Sequence, residues 1–369
     1  MSGGARVLVV TVVHRPDDAR ILHRQIASLR SEGLPVTYAA PWRATGVTPP
    51  EGVVVRELPR AAGRDRLTAL LAARDLLRAE ADAHDVILLH DPELLLAVRI
   101  AGIGRLPPVV WDVHEDTAAA LGDRPWVPSP LRSLLALGVH RLERWAERHV
   151  HLVLAEDGYR TRFRRSHPVV RNHPRAAQRP DPDTAIARAV PPRLVYVGRL
   201  SRGRGVDTVL ALARELGPAV RVELAGDPDA EVRAQLEAAV ADGVVTWHGF
   251  VPNDRIGALL DGATLGLSLL DDDPNYRVSM PSKVIEYLAH GVPVVATPLP
   301  AVATLIEEEG GGVLVPFRDT AGTVAAVRHV LADPALLDRL ATEGRAAAAS
   351  RTWEAEGARL ATMLRTWAR

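Results

Sequence analysis

Short apolar runs alternate with longer stretches of helical periodicity along almost the whole chain, and this alternation limits the fold more than any other feature. Strand, helix, strand, repeated, is the pattern of βαβ units and of parallel sheets. In the first half the strand candidates are Val7–Val13, Pro35–Ala40, Val53–Glu57, Val86–His90, Val109–Asp112 and His151–Ala155. Helices are expected at Arg20–Ser31, Asp65–Ala81, Glu93–Ile103 and Leu131–Arg148. A polar stretch follows, from Arg171-Asn-His-Pro through Asp181-Pro-Asp to Pro191-Pro192. Proline and aspartate at that density mark a linker.

A second series then begins. Its strand candidates are Leu194–Val197, Arg221–Ala225, Val244–His248, Leu265–Ser268, Val294–Ala296 and Val313–Val315. Its helices are expected at Val206–Glu215, Ala230–Ala241, Asp254–Leu260, Ser282–His290, Pro300–Glu308 and Thr320–Leu331, with a last helix from Trp353. The expected organisation is α/β, with two Rossmann-like, doubly wound parallel-sheet domains at residues 1–175 and 190–350. The final helix, 351–369, is expected to return toward the first domain. Hydrophobic residues make up 47% of the chain but aromatics only 4%, so the cores must be built from Val, Leu, Ile and Ala, as suits parallel sheets buried on both faces. Ligands of open α/β sheets bind beyond the carboxyl ends of the strands, and domain interfaces favour pockets. The turns that follow strands, facing a cleft between the two lobes, are therefore where function is sought.

A formal net charge of zero argues against bulk attraction to nucleic acid. With no cysteine, disulfides, thiolate metal sites and cysteine nucleophiles are excluded. No apolar run is long enough to span a bilayer, and the N-terminus enters a strand without a signal-peptide pattern, so a cytoplasmic location is expected. Lysine and arginine total 45, of which Lys283 is the sole lysine.

Two constellations in the second half carry chemistry. Gly198-Arg-Leu-Ser-Arg-Gly-Arg-Gly205 follows a strand and opens a helix. Glycines let backbone approach a ligand, a helix start favours an anion, and Arg199 and Arg204 can pair with a diphosphate. The spacing is not the dinucleotide fingerprint G-x-G-x-x-G, and a flexible basic turn is the plain alternative. In Pro281-Ser-Lys-Val-Ile-Glu286, Pro281 and Ser282 suit a helix start. Glu286 is placed to accept from a ribose diol, and Lys283 sits near the same helix N-terminus. The plain alternative is a carboxylate that complements the helix dipole and a solvated lysine.

These segments resemble the donor domain of family 4 glycosyltransferases, the retaining GT-B group. The family's G-R-x-x-x-x-K-G turn reads Gly198-Arg199 through Arg204-Gly205, with arginine in place of lysine. Its G-F-V segment is Gly249-Phe250-Val251, and its E-x7-E motif leads into Gly291-Val-Pro-Val-Val-Ala-Thr297. The resemblance implies that Arg199 and Arg204 hold the diphosphate and take part in catalysis, that Glu286 holds the ribose, and that backbone near Ser282, Lys283 and Val284 serves the phosphates. Gly198, Gly205, Phe250 and Val251 complete the donor set. In the first half His14-Arg-Pro-Asp-Asp-Ala-Arg-Ile21, His90-Asp-Pro-Glu-Leu-Leu95 and Trp111-Asp-Val-His-Glu-Asp116 resemble recurring segments of a narrower subgroup. His114 matches the family histidine that contacts the transferred sugar. His14, Asp18, Arg20, His90, Asp91 and Glu115 are candidates for the sugar or acceptor side. Two departures stand out. The first glutamate of E-x7-E falls at Val278, with Asp271-Asp-Asp273 nearby as a candidate substitute, and the glycine pair that many relatives carry after the first strand is absent.

The reaction implied is transfer of a hexose-type sugar from a nucleotide diphosphate sugar, with UDP the expected nucleotide, to an acceptor hydroxyl or amine. The donor is a co-substrate, and no cofactor or metal is expected. By residue type, His90-Asp91 with His114-Glu115 could bind a metal, but no local ligand spacing supports it. Rival readings are a non-hydrolysing sugar-nucleotide epimerase and a non-catalytic sugar-nucleotide binder. The helix expected over Pro130–Arg148 mixes leucines and Trp145 with Arg132, Arg141, Arg144 and Arg148, which would suit an anionic membrane surface. Packing on the sheet with its arginines in water is the preferred reading of that helix. The acceptor and the oligomeric state are not written in these patterns.

Overall fold

The computed structural model describes residues 4–114, 129–175, 188–252 and 255–368, with side chains in the helix Ser129–His149 described from residue 137 onward. The chain divides into two compact units, residues 1–172 together with 353–369, and residues 173–352.

The first unit is built on a sheet of six strands: β1 (Val7–Val10), β2 (Val36–Ala40), β3 (Val54–Glu57), β4 (Val86–Leu89), β5 (Val109–Val113) and β6 (His151–Leu154). The order is β3-β2-β1-β4-β5-β6, and each pairing is parallel. Val7 lies opposite both Val36 and Val86. All four residues of β1 are buried, as expected of a central strand covered on both faces.

The second unit repeats the design with β7 (Arg193–Val197), β8 (Arg221–Ala225), β9 (Thr246–Trp247), β10 (Leu265–Ser268), β11 (Val294–Ala296) and β12 (Gly312–Leu314). Its order is β12-β11-β10-β7-β8-β9, again parallel, so counted within the unit it has the same winding as the first. In each sheet the direction of winding reverses between the first and fourth strands. Ligand crevices of open α/β sheets form at such a switch point, outside the carboxyl ends. One core cluster of this unit packs under the helices Val206–Leu216 and Thr320–Ala332. The other lies on the helices Ser282–Ala289 and Pro300–Glu309. Gly266 in β10 has no room for a side chain, because a Cβ there would sit 2.2 Å from the Tyr287 ring.

All twelve expected strands form, most with ends that shift by one to three residues; the run Val244–His248 contributes only two strand residues. The helix expected at Asp254–Leu260 is Ile256–Leu260, and residue 254 lies outside the described residues. One long helix, Pro334–Ala349, is not announced by hydrophobic periodicity. Its apolar face is largely alanine and glycine, which pack closely but mark no stripe; Gly344 lies against Leu288 of the helix Ser282–Ala289. Its start is set by Pro334 and by Asp333, which accepts from Leu336 N at 3.0 Å.

The helix Trp353–Trp367 belongs to the first unit. Trp353 is 1% exposed; its indole N–H donates to Ser28 Oγ at 2.7 Å and to the Arg24 carbonyl at 3.0 Å. It shares a core with Val7, Val9, Ile21, Leu29 and Tyr38. Truncating so large a buried side chain typically costs about 3–5 kcal/mol. Trp353→Ala is therefore expected to lower the stability of the first unit by about that amount, read by urea denaturation followed through amide exchange in β1 and β4.

Candidate functional site

Each unit carries a cluster of polar side chains at the carboxyl ends of its central strands. In the first unit the centre is Asp112, which interrupts the apolar strand β5 and has no exposed surface. Arg20 grips it in a fork, Nε donating to Oδ2 at 2.8 Å and Nη2 to Oδ1 at 2.7 Å. Gln25 Nε2 donates to Oδ2 at 3.0 Å. Both donors come from Ala19–Ile26, which is wound as a π-helix. With i→i+5 bonding, residues five apart share a face, and this lets Arg20 and Gln25 reach one carboxylate. Asp18 fixes the start of that helix, accepting from Arg20 N at 2.8 Å and Ile21 N at 3.0 Å.

Two imidazoles complete the shell. His90 Nδ1 and His114 Nδ1 lie 3.2 and 3.3 Å from Asp112 Oδ2. Burial works against the charge of Asp112, but the Arg20 guanidinium outweighs it, helped by His114 and His90, and holds the carboxyl well below its usual range. Burial pushes His90 down and so keeps it neutral, against the pull of Asp112. His114 Nε2 faces His14 Nε2 at 3.0 Å. A proton on His114 Nδ1, toward Asp112, leaves Nε2 as acceptor and His14 Nε2 as donor. His14 Nε2 is also 3.3 Å from Asp91 Oδ1. The other Asp91 oxygen accepts from Thr11 Oγ1 at 2.9 Å and from the backbone of Val12 and Val13 at 2.5 and 3.2 Å. The result is a continuous path of carboxylates and imidazoles, Asp112, His114, His14 and Asp91.

The structure thus brings together His14, His90, Asp91 and His114. Two other candidates are engaged by partners within the first unit. Arg20 is 5% exposed and committed to Asp112, and Asp18 is a helix cap. Glu115 lies outside the described residues. His90, Asp112 and His114 place donor atoms within 4.8 Å of one another, a metal-like grouping. Oδ2 of Asp112 is already occupied by Arg20 and Gln25, and a guanidinium at 2.8 Å repels a second cation. The grouping is better matched to protons than to a metal ion.

In the second unit β7 ends in the turn Gly198–Gly205. Gly198 has φ 121° and Gly205 φ 81°, and a Cβ on Gly205 would fall 2.0 Å from the Leu269 carbonyl oxygen. The turn therefore presses on the end of β10, a fit only glycine allows. The Arg204 guanidinium lies 5.5 Å from the centre of the Tyr276 ring, and no ion pair engages it among the described residues. Lys283, in the first turn of the helix Ser282–Ala289, is buried, with Nζ 3.5 Å over the Tyr196 ring. Its Nζ has no hydrogen-bond partner among the described residues. The Tyr196 hydroxyl donates to the Arg199 carbonyl at 2.9 Å, tying the turn to the strand.

Other candidates separate here. Arg199 pairs with Asp229 at 2.6 Å and is two-thirds exposed. Phe250 is 69% exposed, Val251 and Ser282 are half-buried, and Glu286 is half-buried one turn beyond Lys283. Val284 is wholly within the core, and its N–H donates to the Pro281 carbonyl at 2.9 Å. The acidic run near Val278 is already used. Asp271 accepts from Arg318 at 2.7 Å, Asp272 pairs with Arg277 at 2.5 Å, and Asp273 caps Pro274–Arg277. Sequence reasoning passed over Asp112, Gln25, Tyr196 and Tyr276. For Asp112 a signal existed, since an acid inside an apolar strand needs buried partners. For Gln25 none did, since i, i+5 spacing has no meaning until the helix is known to be π-wound.

Two parallel sheets of the same winding, each with its polar cluster beyond the carboxyl ends, define the GT-B class of α/β fold. The HepE protein of Anabaena, solved in complex with UDP, shares it with a TM-score of 0.71, covering 98% of this chain and 100% of that one at 15% identity. Residues 191–333 match the family model of glycosyl transferases group 1. The O-antigen biosynthesis protein RfbC of Myxococcus xanthus is 33% identical over 46% of this chain. The alpha-D-kanosaminyltransferase of Streptomyces kanamyceticus is 29% identical over 54% of it. The matches span 13% and 57% of those two relatives' own lengths, less than two thirds of either.

Removing one partner of a buried ion pair costs about 3–5 kcal/mol. Asp112→Asn is expected to destabilise the first unit by about that much at neutral pH in urea unfolding. The folded carboxyl titrates below its unfolded value of about 3.9, so its contribution is present above that value and is lost as pH falls through the folded one. The gap between wild type and variant should close in acid and stay constant around neutrality.

Proposed function

We propose that the chain is a retaining glycosyltransferase that moves a hexose-type sugar from a nucleoside diphosphate sugar, with UDP the preferred nucleotide, to an acceptor hydroxyl or amine. One observation carries the reading. A guanidinium (Arg204) and an amine (Lys283) converge on a glycine turn at a helix start, with no carboxylate of the described residues bonded to either. A buried cationic group without a partner is costly, and a diphosphate would supply the missing charge. Donors fixed in place before reaction stabilise charge as it builds on the leaving diphosphate. They can do the work of a divalent metal, so metal-independent transfer is part of the proposal. Glu286 would accept from the ribose, and the imidazole cluster around His114 would meet the sugar or the acceptor. Complexes of HepE with UDP and with UDP-glucose support the choice of nucleotide.

UDP is expected to raise the melting temperature of the protein, and Arg204→Ala or Lys283→Met to weaken UDP binding about 10–100-fold, the worth of one charge-assisted hydrogen bond. EDTA should leave slow UDP release from UDP-glucose unchanged. UDP giving no thermal shift would sink the donor site. Interconversion of UDP-sugars without release of UDP would put an epimerase in place of a transferase.

We also propose a peripheral contact of the first unit with an anionic bilayer. Leu67 and Leu71, Leu96 and Ile100, and Leu137 are exposed on three helices, Arg66–Glu80, Glu93–Ala101 and Ser129–His149. Arg78, Arg99, Arg141, Arg144 and Arg148 are exposed on the same helices. Apolar side chains among arginines suit an anionic lipid surface. Flotation with vesicles containing phosphatidylserine should carry the wild type upward and leave Leu67→Glu/Ile100→Glu behind. Wild type staying at the bottom would end the idea.

A further inference from the structure

Lys283 is the sole lysine of 369 residues, and it is placed where an ammonium is poorly supported. Nζ is buried and without a hydrogen-bond partner among the described residues. It faces the Tyr196 ring at 3.5 Å and lies 3.9 Å from where a Cβ on Gly198 would be. The charged groups acting on it are Arg204, of like sign, and Glu286, of opposite sign and half-buried. The face of the Tyr196 ring attracts an ammonium and offsets part of the cost of burial, but the neighbouring phenols are no counter-ions. Burial holds both Tyr196 and Tyr287 in the protonated form, and their oxygens are taken up by backbone: Tyr196 donates to the Arg199 carbonyl, and Tyr287 accepts from Val197 N at 2.7 Å. Burial first, then Arg204, lowers the basicity of the amine well below that of a free lysine, and Glu286 offsets only part of this.

We propose that Lys283 is an uncharged amine in the empty donor site and takes up one proton from solvent when a nucleoside diphosphate binds. This rests on the donor-site reading of Arg204 and Lys283 above. The step makes one N–H bond at Nζ and breaks none in the ligand; water or buffer supplies the proton. The logic is reciprocal. The negative charge of the diphosphate favours the ammonium, so the ammonium form must bind the diphosphate more tightly by the same factor. An empty site is then spared two like charges in a buried space, and the second charge arrives with the ligand that neutralises it. Departure of the nucleotide returns the proton.

A single lysine makes this directly readable. Protein grown on carbon-13 lysine gives one side-chain Cε signal, and its shift reports the charge on Nζ. It is followed across pH in ligand-free protein and again with saturating UDP. Proton uptake is measured by titration calorimetry of UDP in two buffers of different ionisation heat. The expected result is a neutral amine near pH 7 that becomes charged on adding UDP, with close to one proton taken up. Above the last phosphate ionisation, at about pH 6, affinity should fall about tenfold per pH unit while the free amine is neutral and the bound one charged. Lys283→Arg, always charged, should bind UDP with neither uptake nor slope. A charged amine in the ligand-free protein, up to the ordinary lysine range near about pH 10, would overturn the proposal while leaving the donor site intact. UDP that moves neither the signal nor the melting temperature would overturn the donor reading and the uptake with it, whereas the titration without ligand judges the neutral amine alone.

Discussion

A parallel sheet must be covered on both faces, and its crossovers bring every strand into the sheet running the same way. Both units obey this constraint, and their functional geometry descends from it. Because all six strands of a sheet end on one edge, residues far apart in the chain meet there. Thr11 follows β1, His90 and Asp91 follow β4, and Asp112 and His114 end β5, yet all fall into one polar cluster of short contacts. In the second unit the same rule brings the turn after β7, the end of β10 and the helix Ser282–Ala289 together around Gly198, Gly205 and Lys283. Side chains are kept out where the packing is closest, as at Gly205 against the Leu269 backbone and at Gly266 under the Tyr287 ring.

The two clusters are electrostatic opposites. In the first unit a buried acid is saturated: Asp112 has a guanidinium, an amide and two imidazoles around it, and its charge is matched inside the protein. In the second, cationic groups converge and no acid among the described residues is hydrogen-bonded to them, Glu286 acting on Lys283 only through its charge. Arg199, with Asp229, and the three aspartates before Val278, with Arg318, Arg277 and a helix start, show what a satisfied group looks like in the same unit. Arg204 and Lys283 differ from all of these. A buried charge that is matched holds its neighbours in place, and one that is unmatched is built for a visitor.

Much of this was legible before any coordinates. Periodicity located the strands because a parallel sheet demands near-continuous apolar runs, and the turn at Gly198–Gly205 showed itself by its glycines. Three things were hidden, each for a physical reason. The π-winding of Ala19–Ile26 leaves no mark on an apolar pattern, so Arg20 read as a ligand-facing residue when it is the clamp on Asp112. Pro334–Ala349 packs through small residues, which lack the contrast that reveals an amphipathic face. The burial of Lys283 depends on what stacks over it, and Tyr196 lies 87 positions earlier in the chain. Sequence distance of that kind is what folding erases and a linear reading retains.

The helix Trp353–Trp367 has a consequence for how the molecule comes into being. Trp353 fills the core of the first unit beside Ile21 and Leu29, yet the whole of residues 173–352 separates it from the rest of that unit. The second unit is in effect an insertion near the end of the first. A ribosome therefore releases the first unit's sheet with a face of its core still open, and makes the entire second unit before the piece that closes it. The order of completion is the reverse of the order of synthesis, so the first unit must wait, partly built, for its last helix.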